Sequence, residues 1–155
     1  MDDKLKDLLR EEEDLQFDNF SEDTAWLLGG QLVKAAMDKK LPITIDITHG
    51  KRQLFHASRP GASADNDEWI KRKVRVVTRF GHSSYYMNQY LKDLGKSIEE
   101  KFLLPERDYG AHGGSFPIII KGSGVIGAIT VSGLTQEEDH QLVVQVIGDY
   151  LSRKK

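Results

Sequence analysis

No cysteine occurs among these 155 residues. That excludes disulfides, a thiol nucleophile and any thiolate metal site. No apolar run approaches the roughly 18 residues that a membrane-spanning helix needs. The opening Met-Asp-Asp-Lys is acidic, whereas a secretory signal opens on positive charge, so a cytoplasmic protein is expected. Neither sign of charge dominates. The 22 Lys and Arg stand against 24 Asp and Glu, a formal net charge of −2, which leaves no global field to attract nucleic acid or anionic lipid. Only four prolines are present. Pro42, Pro105 and Pro117 fall where elements should stop or start, and Pro60 falls in a loop. No internal repeat or low-complexity stretch is found.

What remains is ordinary globular composition, 39% hydrophobic and 30% charged. The length fits one domain over residues 1–155, with 1–20 as an N-terminal helical extension. Leu5, Leu8 and Leu9 give that extension an apolar edge. Glu11-Glu12-Glu13-Asp14 reads as a solvated helix end, or else as an acidic docking or metal-attracting patch. Ser21 is a good N-cap, with Glu22 and Asp23 in the first turn. Ala25, Leu28, Leu32, Ala35 and Ala36 then run down one face. Gly29-Gly30 within that helix costs about 1 kcal/mol per glycine relative to alanine, which tight packing against a sheet or a second chain would offset. Ile43, Ile45 and Ile47 alternate with polar residues, the mark of a half-buried strand. Gly50 turns the chain into a second strand, Lys51 to Ala57.

Asp65 or Asn66 is expected to cap the next helix, whose apolar stripe is Trp69, Ile70, Val74 and Val77. Lys71, Arg72, Lys73, Arg75 and Arg79 form its basic side, and Glu68 is placed to pair with Arg72. Gly81 interrupts it. Ser83 or Ser84 caps a second segment carrying Tyr86, Met87, Tyr90, Leu91 and Leu94, and Gly95 fits its end. Ile98 to Leu104 is ambiguous. After Pro117, Ile118-Ile119-Ile120 is a strand, Gly122-Ser123 signals a two-residue type II′ turn, and Val125 to Val131 returns with Val125, Gly127, Ile129 and Val131 on one face. Thr135 and Glu138 are spaced as a capping box. Leu142, Val143, Val146, Ile147, Tyr150 and Leu151 form the stripe of a last helix, with Arg153, Lys154 and Lys155 suiting its negative end. Separated hairpins among helices favour an α+β fold with an antiparallel sheet.

Chemistry is sparser. Five histidines are present, but His49, His56, His82, His112 and His140 make no compact zinc motif. His112 lies in Gly110-Ala111-His112-Gly113-Gly114, where Gly113 and Gly114 let backbone approach a ligand. The alternative is a turn histidine bonded to backbone. His82 stands at the break between two helical segments, whose free N–H groups suit an anion or an ordinary cap. His140 is expected on the solvent side of the last helix. Arg59 and Arg79 suit a forked contact with an anionic ligand, or plain solvation. Tyr85, Tyr86, Tyr90 and Tyr109 suit a pocket wall or a core edge. The basic run from Lys71 to Arg79 has no helix-turn-helix or RNP motif beside it, so no nucleic-acid partner is expected, and no membrane. There is no nucleophile elbow and no Walker loop. Gly110-x-x-Gly113-Gly114 is not the dinucleotide fingerprint, because a strand follows it.

Gly113-Gly114-x-x-Pro117-Ile118, Gly124-Val125-Ile126-Gly127, Val131-Ser132-Gly133 and Glu138-Asp139-His140 together resemble the haem-degrading-domain family, also called GlcG/HbpS-like (DUF336), and within it the UPF0303 branch. Leu54 to Tyr86 shares the resemblance. It implies a profilin-like arrangement with both hairpins in one sheet, a homo-oligomer, and a small-molecule ligand, haem or a related tetrapyrrole. His112, His82, Arg59, Arg79, Gly113 and Gly114 are then the candidate ligand-binding residues, with catalytic residues unknown. Two other readings stay open: an enzyme on a small organic acid or cofactor intermediate, and a non-enzymatic oligomeric accessory protein.

Overall fold

The computed structural model describes residues 2–153, so Lys154 and Lys155 lie outside the described residues. The elements run α1 (Asp3–Asp14), α2 (Glu22–Lys39), β1 (Thr44–His49), β2 (Arg52–Ser58), α3 (Ala64–Phe80), α4 (Ser84–Leu94), α5 (Ile98–Phe102), β3 (Ser115–Ile120), β4 (Gly124–Ser132) and α6 (Gln136–Arg153). Local chemistry explains most of these limits. Ser21 and Thr24 cap α2 reciprocally, each bonding the other's backbone N–H at 3.2 Å. Ser83 Oγ accepts from Tyr86 N at 3.1 Å to start α4. Gly81 and Gly95 end α3 and α4 with φ of +71° and +66°, a conformation glycine adopts without steric cost. The ambiguous stretch after Ser97 is the short helix α5, closed by Leu103.

Both hairpins share one antiparallel sheet in the order β2-β1-β4-β3, joined by the β1–β4 pair with Ile45 opposite Val131. The fold is the expected α+β class. α2 and α6 cover one face, α3 the other. The main core lies under α2 and α6, where Leu28, Leu32, Ile45, Ile47, Ile129 and Ile147 are buried together. A second cluster, including Leu5, Leu8, Tyr85 and Leu91, joins α1 to α4. Beyond α1 the chain runs beside β3: Phe17 N donates to Ile119 O at 2.8 Å and Lys121 N to Phe17 O at 2.9 Å.

Several expectations are corrected. β1 is not half-buried. Thr44 and Asp46 are as enclosed as their isoleucine neighbours, because α3 covers the polar face. α3 begins at Ala64 with Ser63 as its N-cap, since the Asn66 side chain reaches back to Ser63 N at 2.9 Å. The second hairpin has three loop residues. Ser123 N donates to Ile120 O at 3.0 Å, so Gly122, with φ +78°, is the second central residue of that turn, not the first. A bulge also shifts the register between Ile118 and Ile119, whose partners are Gly127 and Val125. Ile126 therefore packs on the core, while Val125 leaves the face it was assigned and is 41% exposed.

The paired glycines of α2 differ in role. A Cβ on Gly29 would overlap the ring of Phe55, whereas a Cβ on Gly30 would meet nothing. Gly29 is the hollow that admits β2. Gly29→Ala should destabilise by about 1–3 kcal/mol through overpacking, while Gly30→Ala should stabilise by about 0.5–1 kcal/mol. Urea denaturation of both variants checks this, and equal stabilities would refute the packing assignment.

Candidate functional site

The site is built on an ion pair. Lys73 and Asp139 are only 4% and 2% exposed. Lys73 Nζ donates to Asp139 Oδ2 at 3.2 Å and to Val131 O at 3.1 Å, and Asp139 Oδ1 accepts from Leu134 N at 3.0 Å. Burial draws the lysine below its ordinary value and lifts the carboxyl above its own, while their mutual attraction opposes both shifts. Lys73 therefore leaves the solvated basic side on which the sequence had placed it, and α3, β4 and α6 meet at its ammonium group.

The glycine loop closes over this pair. Gly114 has φ +137°, and a Cβ there would overlap Val131 O and come within 2.7 Å of Lys73 Nζ. A Cβ on Gly113 would overlap Gln136 O. Gly113 N donates to Gln136 Oε1 at 3.0 Å, and Gly114 O accepts from Val131 N at 2.9 Å. The pair of glycines thus lets the loop seat itself against the start of α6. Asn88 Nδ2 holds Ala111 O at 2.9 Å, and Arg72 O accepts from Gly110 N at 3.0 Å.

Between these restraints, His112 stands at a cleft of about 500 Å³ whose lining includes Trp69, Lys92, Lys96, Tyr109 and Gln136. The imidazole meets Trp69 edge to face, with centroids 5.2 Å apart, and the Arg72 guanidinium covers the indole at 5.1 Å. Although His112 is exposed, desolvation of the part of its ring packed on the protein, and then the nearby Lys73 cation, draw it below the ordinary histidine value. That direction favours the neutral ring at neutral pH. Neither ring nitrogen has a hydrogen-bond partner among the described residues, so a nitrogen lone pair is free. Glu106 and Glu137 share the lining and balance the two lysines.

The other candidates lie elsewhere. His82 Nδ1 meets Glu12 Oε1 at 2.7 Å, and Ser83 N donates to Glu12 Oε2 at 3.1 Å. The anion at the start of α4 is the chain's own Glu12, whose hydrogen bond, and then its charge, raise the His82 value above that of a free histidine against the effect of burial. The acidic run of α1 is accordingly not just a solvated end. Glu11 also turns inward, to His140 Nε2 at 2.8 Å. His140 is 2% exposed and packs on Tyr85 and Phe116, contrary to the expected solvent side. It precedes Val143 and Ile147 by three and seven positions and so shares their buried face. Arg59 is half-buried after β2, with Nε enclosed and unpartnered among the described residues. Arg79 is exposed on a second, wider cleft. Glu68 pairs with Lys71 at 2.9 Å and not with Arg72, whose Nε goes to Arg107 O at 2.9 Å. Of the six candidates, His112, Gly113 and Gly114 converge, while His82, Arg59 and Arg79 do not join them. Trp69, Lys92 and Lys96 were not foreseen as lining. Lys73 was legible, since it lies on the stripe of Ile70 and Val77.

A model of the family described as haem degrading protein HbpS-like matches residues 20–148. A UPF0303 protein of Streptomyces coelicolor is 46% identical, over 95% of this chain and 93% of its own. A UPF0303 protein of Psychromonas ingrahamii is also 46% identical, over 95% and 92%. The crystal structure of the protein Ybr137w superposes with a TM-score of 0.90 at 33% identity, covering 97% of this chain and 88% of that one. The crystal structure of a PduOC:heme complex superposes with a TM-score of 0.69, over 83% of this chain and 93% of that one, and at 16% identity shares the fold alone.

Removing one partner of the anchoring pair leaves the other charge buried. Lys73→Met should cost about 3–5 kcal/mol, and adding Asp139→Leu should recover about half of that loss. Urea denaturation of the single and double variants checks it. A double variant no more stable than the single one would mean that the pair does not act as a unit.

Proposed function

The chain belongs to the HbpS-like family, in its UPF0303 branch, and from that premise we propose that it binds haem or a related tetrapyrrole non-covalently at the His112 cleft. The observation that carries this reading is the His112 side chain. Its ring nitrogens are unbonded among the described residues, it is held against Trp69 at the edge of a cavity of about 500 Å³, and its surroundings favour the neutral ring. A neutral imidazole is a common axial ligand of haem iron. Trp69 and Tyr109 supply flat walls for a macrocycle. Lys92 and Lys96, both solvent-accessible, suit its two propionates, with Glu106 and Glu137 setting the polarity of the remaining rim. Gly113 and Gly114 act through position: they bring the loop onto the Lys73–Asp139 pair and so fix where His112 stands. When bound, haem would supply a redox-active iron, while the chain orients it and limits its contact with water. The haem named in the PduOC:heme complex, a protein of the same fold, is consistent with this choice of ligand.

Self-association belongs to the same proposal. Trp26, Leu27 and Met37 stand 65%, 52% and 57% exposed on α2, more apolar surface than a solvated helix face needs.

Haemin titrated into the purified protein should give a saturable Soret shift. His112→Ala should weaken it at least about tenfold, roughly 1.4 kcal/mol, and Gly30→Ala should leave it intact. No shift in the wild type, or an unchanged one in His112→Ala, would refute the assignment. Light scattering at micromolar concentration should report a homo-oligomer, and a strict monomer would remove that part.

A further inference from the structure

The basic run of α3, which the haem reading leaves unused, is sorted by the fold. Lys73 turns inward, Arg72 covers Trp69, and Lys71, Arg75 and Arg79 remain on one helical face at successive i+4 positions. All three line the second cleft, of about 1190 Å³, together with Lys51 from the β1–β2 turn. Successive members lie about 6 Å apart along the helix axis at the usual rise per residue.

Lys51, Lys71, Arg75 and Arg79 outnumber the two acids of the same lining, Asp46 and Asp67, and those acids bond to other groups. Asp46, 3% exposed, accepts from Gln53 Nε2 at 2.7 Å and meets His56 Nδ1 at 2.9 Å. Asp67 Oδ1 meets His56 Nε2 at 3.0 Å. His56 thus occupies both carboxylates. Lys71 has Glu68 at 2.9 Å, and Arg75 Nη1 donates to Asp108 O at 3.1 Å. Arg79 and Lys51 have no ion partner among the described residues. Thr48, also in the lining, has its Oγ1 enclosed and without a hydrogen-bond partner among the described residues.

We propose that this cleft is a separate binding site for a phosphoanhydride group, the diphosphate or triphosphate of a small molecule. A row of cations answers a row of anionic oxygens, which a single carboxylate or monophosphate would not fill. Arginine forks match phosphate oxygens two at a time. The site shares only Tyr109 with the His112 cleft, so either reading can fail without the other.

Calorimetric titration at low salt tests it, with pyrophosphate, tripolyphosphate, ADP and AMP as probes. The expected result is saturable binding of the first three, at least tenfold weaker binding of AMP, and at least tenfold loss in Arg79→Glu and in Lys51→Glu. Lys34→Glu, on α2 across the sheet, should bind as the wild type does. ADP binding more tightly than pyrophosphate would identify a nucleotide as the source, and equal binding a free polyphosphate. Absence of saturable binding, AMP binding as tightly as ADP, equal loss in Lys34→Glu, or unchanged binding in Arg79→Glu would overturn the proposal. So would tighter binding of a single-stranded oligonucleotide than of tripolyphosphate at equal phosphate.

Discussion

An ammonium and a carboxylate taken out of water must find partners for nearly all their bonding capacity, or the fold bears the desolvation cost. Lys73 and Asp139 meet that demand with each other, with Val131 O and with Leu134 N. The requirement reaches well beyond two side chains. It sets the distance of α3 from β4, the approach of α6 to the same strand, and the path of the loop above them. Only glycine fits at 113 and 114 because the pair and the first turn of α6 already fill the space a Cβ would take. The position of His112 follows from that crowding.

The two faces of the sheet are used differently. Under α2 and α6 it carries the main apolar core. Under α3 it carries Thr44, Asp46, Ser115, Thr130 and Ser132, all buried, and these are tied by bonds such as Ser115 Oγ to Thr130 Oγ1 at 2.8 Å. An apolar face would fold as well with fewer conditions to satisfy. The polar one, with α3 laid across it, leaves two clefts with distinct chemistry on either side of Tyr109. On the opposite flank, α1 is fastened by Glu11 to His140 and by Glu12 to His82. Those two imidazoles are consumed in holding the first helix. His112 is left without such a bond.

What could be read in the sequence was local. Ser21, Ser83 and the Thr135–Glu138 box declare their helix starts within four residues, because a cap is satisfied by backbone close by in the chain. The alternation of Ile43, Ile45 and Ile47 declared a strand, though not that its polar side is covered as well. Some errors were local too, such as the Ser63 cap of α3 and the turn at Gly122, but those that matter for the site concern partners far apart. Lys73 and Asp139 are 66 positions apart, Glu12 and His82 70, and Glu11 and His140 129. Periodicity did hold part of that information. Lys73 lies on the stripe of Ile70 and Val77, and Asp139 and His140 lie on that of Val143 and Ile147. A charge on an apolar stripe announces a buried partner without naming it. The bulge at Ile126 and the lining roles of Lys92 and Lys96 had no such signal, since register and cavity walls arise only when elements pack.

The most direct test of this account is a crystal structure of the protein with haemin bound. The account predicts iron bonded to a ring nitrogen of His112, with the porphyrin in the cleft between Trp69 and Tyr109 and the Lys73–Asp139 pair intact beneath the loop. Iron bonded to a different residue, or the macrocycle lodged against α3 in the wider cleft, would contradict it.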